Sequence, residues 1–179
     1  MADLTRKELL MALIPAGEHP RLAGLDLSGL DLSSLDLHGA DLTACDLSNC
    51  ILHRANLVGA CLSRANLTEA DLSYAKMHKA KCDHAVLFKA NLDFSDLSGV
   101  DAPHAFFKSA TFCHTNASEV YFSHATLTEA VCRHTNFRGS NFTDAIVDNV
   151  QFVNCALLGA VNPPKQRASQ GTTRRIKRL

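Results

Sequence analysis

The chain has 179 residues, with 18 lysines and arginines against 18 aspartates and glutamates, so its formal net charge is zero. No apolar stretch approaches the roughly 20 residues that a membrane span requires, so we expect no transmembrane segment. The neutral total hides an uneven distribution, because residues 21–160 carry a net charge of −5 and residues 165–179 carry +6. The sequence therefore predicts an acidic body with a basic tail.

The first predicted element is a short helix over residues 5–14. Thr5 and Glu8 have the spacing of a capping box, in which each side chain bonds the other residue's backbone amide. Pro15 and Gly17 end the helix. One face of it is apolar: Leu9, Leu10, Leu13 and Ile14. We expect residues 1–20 to cover the first coil of the repeat that follows. A signal peptide is the alternative, although the apolar run is short and Glu8 interrupts its approach.

A five-residue repeat occupies most of the chain. From Leu27 to Leu157 every fifth residue, the centre of its unit, is apolar and most often leucine, which gives 27 consecutive units. A period of five matches neither the 3.6 residues of a helix nor the 2.0 of a strand. Two positions before the centre the residue is small, and it is alanine in every unit from Ala55 to Ala90. The residue before the centre is often Asp or Asn, and the two after it are mostly polar.

The unit resembles that of the pentapeptide-repeat family, Ala-(Asp/Asn)-Leu-X-X, over about residues 20–162. The resemblance implies an all-β solenoid, a right-handed quadrilateral β-helix with four units per coil and about seven coils. The centre and small residues would form two inward columns, because a repeat that cannot bury its apolar face alone must stack on a copy of itself. Leu25, Leu30 and Leu35 stand where alanine is expected, which leaves the geometry of the first coil open.

The last predicted segment is a basic tail over residues 163–179. Asn162-Pro163-Pro164 breaks the repeat, and no acid follows it. A solvated, disordered end is one interpretation. The other is an electrostatic tether to an acidic partner, membrane or nucleic acid. Its candidate residues are Arg174, Arg175, Lys177 and Arg178.

Seven cysteines raise the question of disulfides. Cys45, Cys50 and Cys155 take the small inward position, so they substitute for alanine in the core. Cys82 and Cys132 take the centre, and only Cys61 and Cys113 should face outward. These places argue against disulfides, and the absence of a Cys-X-X-Cys spacing argues against a metal site, so a reducing, cytoplasmic compartment fits best.

With four units per coil, residues 20 apart in sequence should stack on the outer surface at about 4.8 Å. Five histidines then fall into two columns. A metal site, a pH switch and a tolerated polar ladder are the three interpretations, and the last is favoured because ligands in one line do not converge on a metal. The columns are Arg64, His84, His104, His124 and Asp144, and Arg54, Tyr74, Phe94, His114 and His134.

Apolar residues also reach the predicted outer surface. A cluster of them on a rod otherwise made of Asn, Asp, Ser and Thr indicates either a contact surface or plain local packing. The candidate partner residues on one face are Val86, Phe88, Phe106 and Ile146, and those on another are Tyr74 and Phe94. One Asp per unit also surrounds the first coil, where we expect the carboxylates to bond local backbone amides. These aspartates are Asp26, Asp31, Asp36, Asp41 and Asp46.

The sequence favours a non-catalytic interaction module or rigid scaffold with an unidentified protein partner. It contains no phosphate loop, nucleophile elbow or His-Glu-X-X-His motif, and an uninterrupted repeat supplies no concave pocket, so no enzyme activity and no cofactor are expected. The family resemblance also implies an alternative, the DNA-mimicking proteins that bind and protect gyrase. Further alternatives are nucleic-acid contact through the tail, an end-to-end homodimer through the last coil, and a bacterial effector delivered into a host cell.

Overall fold

The computed structural model describes residue 5, residues 7–9 and residues 19–164. Residues 7–9 are helical, and the predicted capping box is formed. The Thr5 amide donates to Glu8 Oε2 over 2.7 Å, and the Glu8 amide donates to Thr5 Oγ1 over 3.3 Å. This turn carries Leu9, which is fully buried in the core. The rest of the predicted helix, including residues 10–14, lies outside the described residues. In the part of the chain that the structure describes, no helix is long and apolar enough to span a bilayer.

The repeat forms a solenoid of parallel coils. The residue before each centre pairs with its equivalent four units later, from Arg21 with Asp41 to Asn141 with Val161. One coil therefore contains four of the five-residue units. The predicted right-handed quadrilateral β-helix of about seven coils is confirmed. The boundaries proposed at residues 20 and 162 stay predictions.

Each side of a coil is too short for a long strand, since a turn begins directly after the centre. Most inter-coil pairs are thus single bridges. Two short strands lie in the last coils, β1 (Val131–Arg133) and β2 (Gln151–Val153). They pair in parallel, with Cys132 opposite Phe152.

The corners of the coil are tight turns. In a typical turn the Ala85 amide donates to the Cys82 carbonyl over 3.0 Å. The second residue after the centre has a positive φ, 55° at His84 and 61° at Phe94. This left-handed conformation costs an L-residue roughly 1–2 kcal/mol. Glycine avoids that cost, as at Gly24. Each corner otherwise carries one outer side chain per coil, and successive coils align these side chains in columns.

The core consists of the two inward columns. Leu67 at the centre and Ala65 at the small position are both fully buried. Leu22 is also buried, so the repeat begins one unit before the first predicted centre. Leu25 and Leu30 pack partly buried against the core. The first coil thus keeps the register of the others, although leucine replaces alanine there.

Phenylalanine replaces leucine in the later coils, and the rings pack against each other. Phe122 lies 5.1 Å from Phe142 and 5.6 Å from Phe107 between ring centroids. Stacked and edge-to-face pairs of this kind add roughly 0.5–1.5 kcal/mol beyond the burial of their area.

Polar residues at the small position are also accommodated in the core. The Thr115 hydroxyl donates to the Leu92 carbonyl over 2.7 Å, and the Ser140 hydroxyl donates to the Ala117 carbonyl over 2.6 Å. Among the described residues, no buried side-chain nitrogen or oxygen lacks a hydrogen-bond partner. The repeat can therefore exchange Ala for Ser, Thr or Cys without leaving a polar atom unsatisfied.

Candidate interaction surfaces

The first candidate surface is the apolar strip, which we define as Val86, Phe88, Phe106 and Ile146. It lies on the face whose centres include Leu87. Val86 and Phe106 are bridge partners in adjacent coils, and the Phe88 and Phe106 rings are 6.3 Å apart. These three residues form one cluster, in which Phe106 is 36% exposed.

Ile146 is further from this cluster than the other strip residues are from each other. Thr126 lies between Phe106 and Ile146 in the same row, because Phe106 pairs with Thr126 and Thr126 pairs with Ile146. Ile146 is itself exposed. The strip is therefore a compact trio with one outlying residue.

Charged groups border the trio on one side. The Lys89 ammonium lies 5.1 Å from the centre of the Phe88 ring. This distance is within the range of a cation–π contact. The same ammonium is 3.1 Å from Glu69 Oε1, one coil earlier. An apolar centre with a polar rim is the usual anatomy of a protein interface.

The second candidate surface is the aromatic ladder, a column of Arg54, Tyr74, Phe94, His114 and His134. Its rings stack in parallel, with centroids 4.9, 5.0 and 4.9 Å apart from Tyr74 to His134. The Arg54 guanidinium caps the first ring at 5.7 Å. Because ring faces within the column are covered by their neighbours, the ladder offers ring edges to a partner.

The structure keeps the two surfaces apart. The aromatic ladder is a corner column, whereas the apolar strip lies along a face. Another face, which includes Asn91 and Asp93, lies between Phe88 and Phe94 along the chain. The six residues predicted as partner candidates thus form two separate surfaces.

The histidine ladder is the corner column of His84, His104 and His124. Its ring centroids are 4.8 and 4.9 Å apart, and the rings are parallel within 8°. The rings are stacked face to face, so their nitrogens point along parallel directions and do not converge on one metal ion. Residues 5, 7–9 and 19–164 include no group of three or more His, Cys, Asp or Glu side chains placed to hold one.

The first-coil aspartates bond local backbone amides, as predicted. Asp26 Oδ1 accepts from the Ser28 amide at 2.9 Å, and Asp41 Oδ1 accepts from the Thr43 amide at 3.1 Å. The side-chain and backbone hydrogen bonds from Ser28 lower the pKa of Asp26, and those from Thr43 lower the pKa of Asp41. The same local bond forms at three more positions, Asp31, Asp36 and Asp46. These carboxylates therefore have a structural role.

The seven cysteines all lie among the described residues, and none of them forms a disulfide. Burial raises the pKa of Cys50 to about 11 and that of Cys82 to about 12. Cys61 and Cys113 are only partly buried, in line with their predicted outward position. Burial alone would raise the pKa of Cys61, but hydrogen bonds with Thr43 and Ser63 outweigh it and lower that pKa.

Four further exposed apolar residues were missed by the sequence reasoning. Ile51 and Tyr121 are exposed, and both stand directly before a centre, where Asp or Asn is usual. Leu158, 78% exposed, and Val161 lie at the end of the solenoid. The sequence signal that could have identified these four residues is an apolar side chain at a position of the repeat that faces outward. The tail candidates Arg174, Arg175, Lys177 and Arg178 lie outside the described residues.

The family model described as pentapeptide repeats matches the chain in eight copies, over residues 18–49, 31–68, 50–87, 65–101 and 105–144. No curated protein matches the sequence.

Several solved structures resemble the fold. QnrB1, a plasmid-mediated fluoroquinolone resistance protein, is 17% identical, with 75% of each chain covered and a TM-score of 0.53. HetL, a pentapeptide repeat protein involved in heterocyst differentiation regulation in the cyanobacterium Nostoc, is 21% identical, with 88% of this chain and 96% of that chain covered and a TM-score of 0.34. A pentapeptide repeat protein of the Arabidopsis thaliana thylakoid lumen is 28% identical, with 66% of this chain and 65% of that chain covered and a TM-score of 0.23. At these identities the likeness to QnrB1 shows the fold.

Proposed function

Because the chain belongs to the pentapeptide-repeat family, we propose that it is a non-catalytic interaction module, a rigid rod that presents a flat face to a protein partner. The observation that carries this proposal is the trio of Val86, Phe88 and Phe106, whose half-buried and exposed apolar side chains form one cluster across two adjacent coils. Exposed apolar clusters of this kind mark contact surfaces more often than single apolar residues do.

The test is an affinity pull-down with the intact chain and the Phe106→Asp variant. A carboxylate at the centre of the trio should abolish capture of a specific partner, because the charge would be desolvated in the interface. Phe106 is partly exposed. The change should therefore cost about 1 kcal/mol of stability, which urea unfolding checks.

The matched control is Tyr121→Asp, which makes the same charge change at an exposed aromatic residue on another face. Capture of the same partner by all three proteins would refute the proposal. If Phe106→Asp unfolds the chain instead, Phe106 belongs to the core and the strip is not a surface.

A second candidate function is binding to a topoisomerase as a DNA mimic, the activity of one branch of the family. The net charge of −5 over residues 21–160 favours it. An acidic rod is what a DNA-binding surface attracts. The identity of the captured protein distinguishes the two functions, since gyrase subunits retained by the intact chain would support the mimic.

The basic tail supports a third candidate, contact with nucleic acid through Arg174, Arg175, Lys177 and Arg178. Such binding should fall steeply with salt and should disappear when the chain ends at Pro164. Binding that survives this truncation would contradict it.

The end of the solenoid supports a homodimer. Leu158, Val161 and Ile146 are all exposed, and all lie in or next to the last coil. Two copies that meet end to end would cover part of this apolar surface. Sedimentation of the chain and of a Leu158→Asp variant tests this, with a monomer for both as the contradicting result.

The cysteines bear on the compartment. Seven thiols without a disulfide favour a reducing, cytoplasmic location for the protein. Fractionation of the source cell, followed by detection of the chain, tests this location.

A further inference from the structure

The face that carries the apolar strip, here called the strip face, has the same layout in every coil. A corner residue begins it, two outward residues follow on either side of the buried centre, and a second corner residue ends it. In one coil these four are Arg64, Asn66, Thr68 and Glu69, with Leu67 as the buried centre. Parallel pairing of the coils aligns each of these positions in a column. The strip face is therefore a sheet surface with one column of corner side chains along each border.

The two borders of the strip face carry opposite charges in the coil before the trio. Arg64 stands on one border and Glu69 on the other, and both side chains are exposed. Glu69 pairs with Lys89 of the next coil, 3.1 Å from its ammonium. Within residues 19–164 no ion pair involves Arg64. The Arg64 guanidinium is thus available to a carboxylate from outside the rod.

The order of these charges makes the strip face complementary to itself. Consider a second copy laid face to face on the first, with the two rods parallel and a two-fold axis running between them along the rods. This axis places each coil opposite the same coil of the second copy and exchanges the two borders. Arg64 of each copy then faces Glu69 of the other, so the contact between opposite charges occurs twice.

The trio is complementary to itself under the same symmetry. Val86 lies opposite Phe88 of the second copy, so their half-buried side chains cover each other twice. Phe106, which is 36% exposed, lies opposite Lys108. The apolar stem of a lysine can pack on an aromatic ring while its ammonium stays in water or over the ring face. A second copy would therefore cover the apolar surface that the rod itself leaves uncovered.

Charge favours this parallel arrangement over the antiparallel one centred on the same trio. The antiparallel axis exchanges the coils before and after the trio and keeps each border in place. Glu69 would then face Glu129 of the second copy, and like charges opposed across an interface disfavour it. In the parallel arrangement Glu129 faces His124 and Lys89 faces His84, so no two carboxylates and no two ammonium groups oppose each other.

We propose that the strip face binds a second copy of this chain in a parallel, two-fold symmetric dimer. The trio lies at the centre of this dimer, and the contacts between Arg64 and Glu69 lie at its borders. The inference rests on the proposed function, because it identifies the protein partner of the same surface.

The area of the strip face sets the strength of the dimer. About seven coils spaced by about 4.8 Å make a face roughly 34 Å long. With a width of about 15 Å, two such faces bury on the order of 1,000 Å². This area is at the lower limit of specific interfaces, so we expect a dissociation constant in the micromolar range that depends mainly on the trio.

The first experiment is sedimentation equilibrium of the full chain at low salt, from about 1 to about 200 µM, a range that spans such dissociation constants. The variant is Phe106→Asp. The matched control is Leu158→Asp, which makes the same charge change at an exposed apolar residue on the end of the solenoid. We expect a dimer for the wild type and the control, and a dimer weakened by about a hundredfold or more for Phe106→Asp, since symmetry counts the change twice.

Two results of this experiment would overturn the proposal. One is a wild-type chain that stays monomeric throughout; a different protein captured through the trio in the pull-down would then still support the proposed function. The other is a dimer that is lost in Leu158→Asp but kept in Phe106→Asp, because the rods would then meet end to end.

A charge exchange adds a readout that a purely structural role would not change. In the Arg64→Glu dimer carboxylates face each other at both borders, and in the Glu69→Arg dimer guanidinium groups do. Each variant alone should dimerise on the order of tenfold more weakly than the wild type. In an equimolar mixture the two variants are complementary at both borders. A heterodimer should therefore form with an affinity near that of the wild type, and salt should weaken it.

The control for the charge exchange is Lys79→Glu. It makes the same change in charge as Arg64→Glu, at a corner that does not border the strip face. It should dimerise like the wild type. Equal weakening by Lys79→Glu and Arg64→Glu, or no heterodimer in the mixture of Arg64→Glu with Glu69→Arg, would overturn the parallel arrangement. Both exchange variants leave the trio intact, so this test stands even if Phe106→Asp does not fold.

Discussion

Replacement of a single centre leucine by aspartate tests the inward register of the whole repeat. Leu67 is fully buried, with Leu47 one coil before it and Leu87 one coil after it in the same column. Aspartate at this position would place a carboxylate among leucines with no donor to receive it. The Leu67→Asp variant should therefore be severely destabilised.

The magnitude can be worked from the burial. Truncating a fully buried leucine costs about 2–5 kcal/mol, and leaving a buried polar group without a partner adds about 1–3 kcal/mol or more. The sum is a large fraction of the roughly 5–15 kcal/mol that stabilises a typical domain. Because each coil contacts only its neighbours, the damage should begin in the coil that contains residue 67 and leave distant coils formed at intermediate urea.

The assay is urea unfolding followed by far-ultraviolet circular dichroism. The matched control is Thr68→Asp, which makes the same charge change one residue later, on the outer side. Thr68 is half-buried, and its hydroxyl donates to Asn66 Oδ1 over 2.7 Å. Loss of that hydrogen bond should cost the control only about 1 kcal/mol. Equal unfolding midpoints for Leu67→Asp and Thr68→Asp would refute the inward register.

Three other predictions follow from single contacts. The Phe122 ring is fully buried among other phenylalanines, whereas Tyr121 beside it is exposed. Calorimetry should therefore show a loss of about 3–5 kcal/mol for Phe122→Ala but a change within about 0.5 kcal/mol for Tyr121→Ala. Burial raises the pKa of Cys82 from 9.0 to about 12. The stability that the protonated Cys82 thiol contributes should thus be intact below pH 9 and lost as the pH rises to about 12, because the unfolded chain releases a proton that the native chain holds. A Cys82→Ala variant whose free energy of unfolding falls equally steeply at alkaline pH would contradict this. Thr5→Ala should destabilise the helical turn by about 0.5–2 kcal/mol, because it removes a side chain of the capping box. Hydrogen exchange at the Leu9 amide should therefore become faster. Unchanged exchange would count against a structural role of the capping box.

The sequence was sufficient to predict which side chains point inward. A period of five requires every centre and every small residue to repeat in the same orientation. Leu67, Ala65 and most of their equivalents are buried accordingly, whereas Val147 and Leu157 in the last units are only partly buried. The capping box at Thr5 was predictable for a similar reason, because its bonds join residues three apart. The period itself does not give the number of units per coil. The family resemblance implied four units, and the pairing of each unit with the fourth unit after it confirms that number.

Contacts on the outer surface were only partly predictable. The stacking of the rings in the two ladders and their spacing of 4.8–5.0 Å followed from the coil length, whereas the parallel orientation of the rings required coordinates. Parallel imidazoles do not converge on one metal ion. The sequence analysis grouped Ile146 with Phe106, although the same spacing of 20 residues already places Thr126 between them, as the pairing of the coils shows.

The sequence by itself determined the inward register, the short N-terminal helical turn and the acidic body, because each depends on residues close in the chain or on composition. Tertiary structure decided how exposed each outer side chain is. Phe106 is 36% exposed and Tyr121 is 54% exposed, although both stand directly before a centre. The difference arises because the Phe88 ring packs near Phe106. The exposure of an outer residue depends on the size of its neighbours in the same coil and in the adjacent coils, which are distant in the sequence but paired in space.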